Sequence, residues 1–215
     1  MSRNVLVTGA AKGIGQAIAF RLAKDGFNVA VNDIEIMSQE LQDTQKAIEK
    51  LGQKSIAIIA DVSNDKQVET MMKKVTKELG SLNIAVANAG IAQVKPFIEL
   101  TTNDWDKMFA INMRGGVRGL TQGAAMELAK HKITVNAYCP GIVGTEMWNL
   151  IDEKLAKYEN KKKGEVIEEY SNKLIALGRT SVPDDVANFV SYLASKDSDY
   201  MTGQSIMIDG GIEFS

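Results

Sequence analysis

The chain of 215 residues is 45% hydrophobic and 24% charged, which suits one hydrophobic core and predicts a single domain over residues 1–215. A formal net charge of −2 excludes the broad basic face that nucleic acid requires, and the one cysteine, Cys139, excludes disulfides within the chain and metal sites built from clustered cysteines. The start of the chain leaves no room for a signal peptide and no stretch reaches membrane-spanning length, so we expect a cytoplasmic protein with no membrane, nucleic-acid or metal partner.

Short apolar runs alternate with amphipathic helical patterns, which is typical of a parallel sheet joined by crossover helices. The predicted strands are Val5–Thr8, Asn28–Val31, Ser55–Ala60, Asn83–Ala87, Thr134–Ala137 and Ser205–Ile208. The predicted helices are Gly13–Lys24, Ser38–Leu51, Asp65–Leu79, a long one from Asn103 towards Lys130, and Pro183–Ala194. This order predicts an α/β fold with a doubly wound parallel sheet of the Rossmann type.

A glycine-rich turn, Thr8-Gly9-Ala10-Ala11-Lys12-Gly13-Ile14-Gly15, joins the first predicted strand to the first helix. Gly9 suits a sharp turn, Gly13 leaves room for a pyrophosphate, and Gly15 allows close packing of helix on strand. The helix N-terminus offers N–H groups to the same anion. The turn therefore predicts a dinucleotide site that comprises Gly9, Lys12, Gly13, Ile14 and Gly15.

Asp33 follows the second predicted strand, about eighteen residues beyond Gly15. A carboxylate there can accept hydrogen bonds from the adenosine ribose hydroxyls, and it repels a 2′-phosphate by roughly 4 kcal/mol for like charges about 4 Å apart. Lys12 favours the opposite preference, because a cation beside the turn could meet that phosphate. We predict NAD rather than NADP, because the carboxylate lies nearer the expected ribose.

Further candidate cofactor residues follow the third and fourth predicted strands, at the carboxyl edge where open α/β sheets bind ligands. The Asp61 side chain could contact the adenine amino group, and Val62 could pack on the ring. Asn88 and Gly90 could line the adjacent ribose wall. These residues extend the predicted dinucleotide site along the edge of the sheet.

A second loop, Pro140-Gly141-Ile142-Val143-Gly144-Thr145, follows the fifth predicted strand. The backbone of Pro140, Gly141 and Ile142 could meet a nicotinamide carboxamide. The Thr145 hydroxyl could reach the same group or the diphosphate. We therefore expect this loop at the nicotinamide end of the cofactor.

These motifs, with Asn112 and the late runs Thr202-Gly203-Gln204 and Asp209-Gly210-Gly211, resemble the short-chain dehydrogenase/reductase family from end to end. Within the family the chain is most similar to the diacetyl/acetoin reductases, also called 2,3-butanediol dehydrogenases. The runs that carry this finer similarity are Gly90–Gln93, Val117–Gln122, Tyr138–Val143 and Asp199–Gln204.

The resemblance implies an NAD(H)-dependent oxidoreductase that interconverts small vicinal ketones and alcohols such as diacetyl, acetoin and butanediol. It also implies a homo-oligomer, a tetramer in the intact form. Two alternatives stay open. One is a related reductase acting on 3-oxoacyl thioesters or sugars, and the other is a catalytically inactive NAD(H)-binding protein.

The spacing of the predicted strands indicates that one strand-helix unit is missing. Strands begin about 23 to 28 residues apart up to Asn83, but the next begins only near Thr134. The gap falls at the junction Asn112-Met113-Arg114-Gly115-Gly116-Val117-Arg118-Gly119, whose paired glycines cost about 1 kcal/mol each relative to alanine in a helix. In the family this place holds a strand with a catalytic Ser and a helix with Tyr-x-x-x-Lys, and neither occurs here.

A Tyr-x-x-x-Lys spacing does occur at Tyr158 and Lys162, but such a pair arises easily by chance and no Ser-bearing strand precedes it. We do not interpret it as catalytic. Three explanations stay open for the gap: the printed sequence omits a segment, the segment was deleted deliberately, or a natural deletion left a protein that binds NAD without turnover. The first is favoured, because losing a central strand would bare two strand edges.

Asn112 is the one catalytic residue that the resemblance carries over, as the group that holds a water for the proton relay. Reduction of a ketone also needs an acid, which the family supplies with a Tyr beside a Lys. Gln93, Met147 and Trp148 follow loops that we expect to face the nicotinamide end, and they are predicted walls of a small ketone pocket. Met147 and Trp148 fit lid or core packing equally well.

Overall fold

The computed structural model describes residues 3–95, 99–112 and 117–213. The chain divides into two compact units, one made of residues 1–90 with 187–194 and the other of residues 91–186 with 195–215. Each unit contains its own parallel sheet. No helix in the described residues is long and apolar enough to cross a membrane.

The first unit contains a four-stranded parallel sheet with the order β3-β2-β1-β4. Its elements in chain order are β1 (Asn4–Thr8), α1 (Gly13–Lys24), β2 (Asn28–Asp33), α2 (Ser38–Lys50), β3 (Ser55–Ile59), α3 (Asp65–Leu79) and β4 (Ile84–Val86). In this register Val5 of β1 lies between Val29 of β2 and Ile84 of β4. Alternating β-strands and crossover helices place all four carboxyl ends at one edge.

The faces of this sheet are apolar on both sides, as a parallel sheet requires. Leu6, Ala30 and Ile56 point to one face, where they form a buried cluster with Met71 and Val75 of α3. Neighbouring side chains on a strand alternate between faces, so Val5 and Val7 of β1 and Val29 and Val31 of β2 point to the other face. These valines are fully buried, and α1 and α2 contact their strands.

The second unit contains a two-stranded parallel sheet in which β5 pairs with β6. Its elements are α4 (Thr102–Asn112), α5 (Val117–Leu128), β5 (Ala137–Pro140), α6 (Glu146–Glu159), α7 (Glu165–Leu174) and β6 (Ser205–Ile208). A further helix, α8 (Pro183–Leu193), ends in the first unit, where the Ser191 hydroxyl donates to the Asp25 carboxylate at 2.6 Å.

The predicted α/β class and the missing strand-helix unit are confirmed. The strands β4 and β5 flank the predicted gap in sequence, and within the described residues each pairs on one side alone, β4 with β1 and β5 with β6. The long helix expected from Asn103 corresponds to α4 and α5, and residues 113–116 of the junction lie outside the described part of the chain. The single domain over residues 1–215 stays a prediction.

The position of the fifth strand was predicted wrongly. We expected Thr134–Ala137, but β5 covers Ala137–Pro140, because its partner β6 begins only at Ser205. The preceding residues bond to a turn instead: the N–H of Val135 donates to the Thr202 hydroxyl at 3.0 Å. Helices α6 and α7 lie between the Pro140–Thr145 loop and α8, in a segment for which the sequence analysis predicts no helix.

Candidate functional site

The glycine turn after β1 has the backbone conformation that its sequence predicts. Gly9 and Gly13 both have φ of 63°, a left-handed value that disfavours other residues. A Cβ added to Gly15 would lie 2.2 Å from the Gly9 carbonyl oxygen and 2.5 Å from Asn88 Nδ2. Gly15 therefore allows α1 to pack against the turn at a distance that no side chain permits.

The N-terminus of α1 faces the end of this turn and suits an anion. The helix begins at Gly13, and Lys12 occupies the N-cap position with extended backbone, where an ammonium cannot accept hydrogen bonds from the first helical N–H groups. The first turn of α1 contains no acidic residue. Its N–H groups and the positive end of the helix dipole are thus not neutralised by a carboxylate of their own helix.

The turn is fixed in place by hydrogen bonds to the end of β4. Asn88 Nδ2 donates to the carbonyl oxygens of Thr8 at 3.0 Å and Gly9 at 3.3 Å. In return, the Thr8 hydroxyl accepts from the backbone N–H groups of Asn88 at 3.0 Å and Ala89 at 3.1 Å. The Asn88 amide therefore supports the glycine turn, and its lining of a ribose wall stays a prediction. Sequence reasoning did not single out Thr8, although its place at the strand end is the available signal.

Asp33 ends β2 directly beside the glycine turn. Its Oδ2 accepts a hydrogen bond from the Ala11 N–H at 3.1 Å, and its Oδ1 accepts one from the Ile34 N–H at 2.9 Å. Each carboxylate oxygen keeps a second lone pair for a ribose hydroxyl. Ile34 was not predicted, yet its side chain is 45% exposed next to this carboxylate.

Asp61 lies one residue beyond the last pairing of β3 with β2, in which the Ala60 N–H donates to the Asp33 carbonyl at 3.0 Å. Its Oδ1 accepts from the Ser63 hydroxyl at 2.7 Å and the Ser63 N–H at 2.8 Å, and these bonds lower the pKa of the Asp61 carboxyl. Oδ2 takes part in neither bond and can accept from an amino group. Val62 beside it is half-buried, and Gly90 is exposed on the segment after β4.

The loop from Pro140 to Thr145 lies in the second unit. A Cβ added to Gly141 would lie 2.7 Å from the Cβ of Asp209, so this glycine is required by packing within the unit. Ile142 is buried and its carbonyl accepts from the Ser181 N–H at 3.1 Å. Thr145 precedes α6, and its hydroxyl does not cap the helix. Pro140 is the last residue of β5.

Gln93 and Asn112 form hydrogen bonds inside the second unit. Gln93 Nε2 donates to Asp104 Oδ1 at 2.5 Å. Asn112 Nδ2 donates to the Ile91 carbonyl at 2.8 Å, while its Oδ1 accepts from the Ile91 N–H at 3.0 Å. Both side-chain amides therefore hold neighbouring chain segments. The backbone carbonyl oxygen of Asn112 takes part in neither of the two bonds to Ile91.

The Asp104 carboxylate that receives Gln93 also accepts from Lys95 Nζ at 2.9 Å and from the Thr101 hydroxyl at 2.8 Å. The Lys95 ammonium and the other donors hold the pKa of the Asp104 carboxyl well below its usual range. An ionised acceptor of this kind fixes the Gln93 amide through charge-assisted hydrogen bonds.

Met147 and Trp148 lie in the first turn of α6. Met147 is 42% exposed and Trp148 is half-buried. Tyr158 near the other end of the helix is 58% exposed, and Lys162 follows after α6 has ended at Glu159. Both side chains are exposed, which agrees with the interpretation that this pair is not catalytic.

Comparison with protein-family models matches the chain in two parts. A model described as short chain dehydrogenase matches residues 3–116, and one described as Enoyl-(Acyl carrier protein) reductase matches residues 113–213. The two matches meet at the junction where the strand spacing places the missing unit.

Two curated relatives align with the whole chain. They are L-2,3-butanediol dehydrogenase of Corynebacterium glutamicum and Diacetyl reductase [(S)-acetoin forming] of Staphylococcus epidermidis, each 38% identical and each covering 100% of both proteins. Both alignments run over 259 positions, whereas the chain has 215 residues, which leaves 44 positions that this chain lacks (259 − 215).

Solved structures give the same answer for the fold. A short-chain dehydrogenase/reductase mutant from Serratia marcescens has a TM-score of 0.85 at 29% identity, covering 98% of this chain and 97% of that one. An actinorhodin polyketide ketoreductase variant with NADPH has a TM-score of 0.90 at 26% identity, covering 98% and 97%. The glycine turn, the acidic end of β2 and these similarities define an oxidoreductase with a nicotinamide-cofactor fold. The chain belongs to the short-chain dehydrogenase/reductase family.

Proposed function

We propose that the protein is an NAD(H)-dependent oxidoreductase that interconverts small vicinal ketones and alcohols of the diacetyl, acetoin and 2,3-butanediol type. The observation that supports NAD(H) is the Asp33 carboxylate, held next to the glycine turn by the Ala11 N–H at 3.1 Å. The names of the two curated relatives support the substrate class. The same names favour it over thioester or sugar substrates.

The residues of the first unit divide the binding of the dinucleotide among them. The turn at Gly9 and Gly13 and the N-terminus of α1 are the proposed pyrophosphate site, and Lys12 with Ile14 borders it. Asp33 accepts the ribose hydroxyls, and Asp61 Oδ2 accepts the adenine amino group beside Val62. When bound, the cofactor supplies or accepts the hydride.

The residues of the second unit are proposed for the nicotinamide end and the substrate. The backbone of Pro140–Ile142 and the Thr145 hydroxyl are the candidate carboxamide contacts. Met147 is exposed enough to contact a small apolar ketone. The Gln93 side-chain N–H donates to Asp104, so we propose that Gln93 shapes the substrate pocket together with Asp104 and Lys95. The side-chain carbonyl oxygen of Gln93 is then the atom that contacts the substrate.

Transfer of hydride to a ketone leaves negative charge on oxygen, and a proton donor is needed there. The Ser and Tyr-x-x-x-Lys of the family do not occur at the expected place, and the Asn112 side chain is engaged with Ile91. We therefore propose that the proton donor belongs to the 44 aligned positions that this sequence lacks. The chain of 215 residues then binds NAD(H) but does not reduce ketones.

The test restores the missing unit. The residues of the Corynebacterium glutamicum relative that align with the gap are inserted between Asn112 and Val117, and NADH oxidation with acetoin or diacetyl is measured. We expect no turnover for the printed chain and turnover for the insertion variant. The matched control carries Phe in place of the inserted catalytic Tyr, and it should bind NADH equally well but not react.

An inactive NAD(H)-binding protein is the second candidate, and the missing proton donor in the sequence favours it. The intact mass of the natural protein decides between the two. A mass several kilodaltons above 23.4 kDa supports the enzyme, whereas a mass of 23.4 kDa with NADH binding and no turnover supports the inactive protein.

We also propose a cytoplasmic homo-oligomer, a tetramer in the intact form. Family resemblance supports this assembly, with α8 and β6 as one of its interfaces. Static light scattering of the insertion variant tests it, and a monomeric mass at micromolar concentration would contradict it.

A further inference from the structure

Strand β3 is an edge of the four-stranded sheet, because β2 is its one neighbour among the described residues. The N–H of Val29 donates to the Lys54 carbonyl at 3.0 Å, and the N–H of Ala60 donates to the Asp33 carbonyl at 3.0 Å. In a parallel pair of strands these two bonds mean that the backbone groups of Ile56 and Ile58 also point towards β2. The N–H and C=O groups of Ala57 and Ile59 therefore point outward, where another strand could pair with them.

A groove of about 470 Å³ runs along this outward edge, between β3 and α3. Its lining residues are Ala57, Ile58, Ile59, Ala60, Lys66, Gln67, Thr70, Met71 and Lys74. One face of α3 lines the groove with Lys66, Thr70 and Lys74, which are spaced four residues apart and therefore lie on the same side of the helix. The groove thus has hydrogen-bonding backbone on one wall and a basic helix on the other.

The floor of the groove is apolar and its rim is basic. Met71 and Ile58 are 3% and 5% exposed, whereas Ile59 is 41% exposed. None of the nine lining residues is acidic. Within the described residues Lys66 has no ion-pair partner, and Lys74 approaches Glu78 at 4.0 Å at the solvent-exposed surface, which is a weak pairing.

We propose that this groove binds an extended acidic peptide segment, which adds to the sheet as a strand beside β3. The outward N–H and C=O groups of Ala57 and Ile59 bond to the peptide backbone, as in other strand-addition sites. Alternate side chains of the peptide point to the α3 side, where its carboxylates meet Lys66 and Lys74. The inference is independent of cofactor binding and of the oxidoreductase reaction.

The charge complementarity is tested by fluorescence anisotropy with a labelled peptide that alternates valine and glutamate over about six residues, the usual length of a strand. We expect saturable binding to the protein. The double variant Lys66→Glu, Lys74→Glu should raise Kd at least about tenfold, equivalent to about 1.4 kcal/mol. Lys77→Glu makes the same charge change on the exposed surface of α3 outside the groove, and it should leave Kd within about twofold.

Backbone pairing is tested without altering the protein. The same peptide with N-methyl groups on alternate amides cannot donate to the strand edge, and it should lose binding. In two-dimensional NMR the largest shifts on adding the unmodified peptide should fall on the amides of Ala57 and Ile59. Absence of saturable binding, equal binding of the N-methylated peptide, or an unchanged Kd in the lysine double variant would each overturn the proposal.

Discussion

The Asp33 carboxylate and the Ala11 backbone N–H are joined by a hydrogen bond of 3.1 Å, which links the end of β2 to the glycine turn after β1. The bond fixes one negative charge next to the place where the turn would hold a phosphate. It also leaves lone pairs for ribose hydroxyls. We therefore expect that removing the charge of Asp33 changes the preference between NAD and NADP.

Asp33→Asn should weaken the preference for NADH over NADPH by at least about tenfold, because it removes the charge that repels a 2′-phosphate while keeping an oxygen acceptor. Calorimetric titration with each cofactor measures the ratio of the two Kd values. Asp43→Asn changes a 62% exposed carboxylate on α2 and should leave the ratio unchanged. An unaltered ratio in Asp33→Asn would refute the proposed role of the carboxylate.

Gly15→Ala should lower the free energy of unfolding by at least about 2 kcal/mol, because its Cβ would lie 2.2 Å from the Gly9 carbonyl oxygen. Urea unfolding measures the change. Gly123→Ala in α5 is the matched control, since an added Cβ there meets no atom within 4 Å. That substitution should stabilise the protein by about 0.5 to 1 kcal/mol through helix propensity. Equal effects of the two substitutions would contradict the packing role of Gly15.

Thr8→Val should lower the free energy of unfolding by about 2 kcal/mol, because it keeps the side-chain volume but removes the acceptor for two backbone N–H groups. Thr8 is 8% exposed, so water does not readily replace its hydroxyl as the acceptor for the two N–H groups. Thr76→Val on the exposed surface of α3 should change stability by less than about 0.5 kcal/mol. If both substitutions have the same small effect, the turn does not depend on the Thr8 hydroxyl.

The Glu169 carboxylate of α7 should titrate at unusually low pH. Hydrogen bonds from Lys161 and Lys173 lower its pKa from 4.5 to about 2. A depressed pKa stabilises the folded state above pH 4.5, and this contribution is lost as the pH falls towards 2. Carboxyl NMR titration measures the midpoint, and Lys161→Met should move it upward. A wild-type midpoint near 4.5 would show that the ion pairs do not form in solution.

Much of the fold follows from local sequence patterns. The predicted bounds of α1 and α3 agree with the structure, because apolar spacing and capping residues act within a few turns of the chain. Asn64, for example, accepts hydrogen bonds from the N–H groups of Lys66 and Gln67 at the start of α3. The missing unit could also be predicted from the sequence, because the number of residues between the fourth and fifth predicted strands is about twice that between the earlier ones.

The position of β5 and the roles of the polar side chains were decided by tertiary structure. The bounds of β5 depend on where its partner β6 begins, about 70 residues away, and a local sequence pattern cannot predict a contact over that separation. The amides of Asn88, Gln93 and Asn112 looked free for ligands in the sequence, but each bonds to the protein itself.

The sequence by itself thus determined the residue types at the strand ends, the glycine turn and the gap. The tertiary structure alone decided which of those side chains hold the backbone through hydrogen bonds. The physical reason is that a buried polar group must find a partner, and the partner is fixed by which segments meet in space.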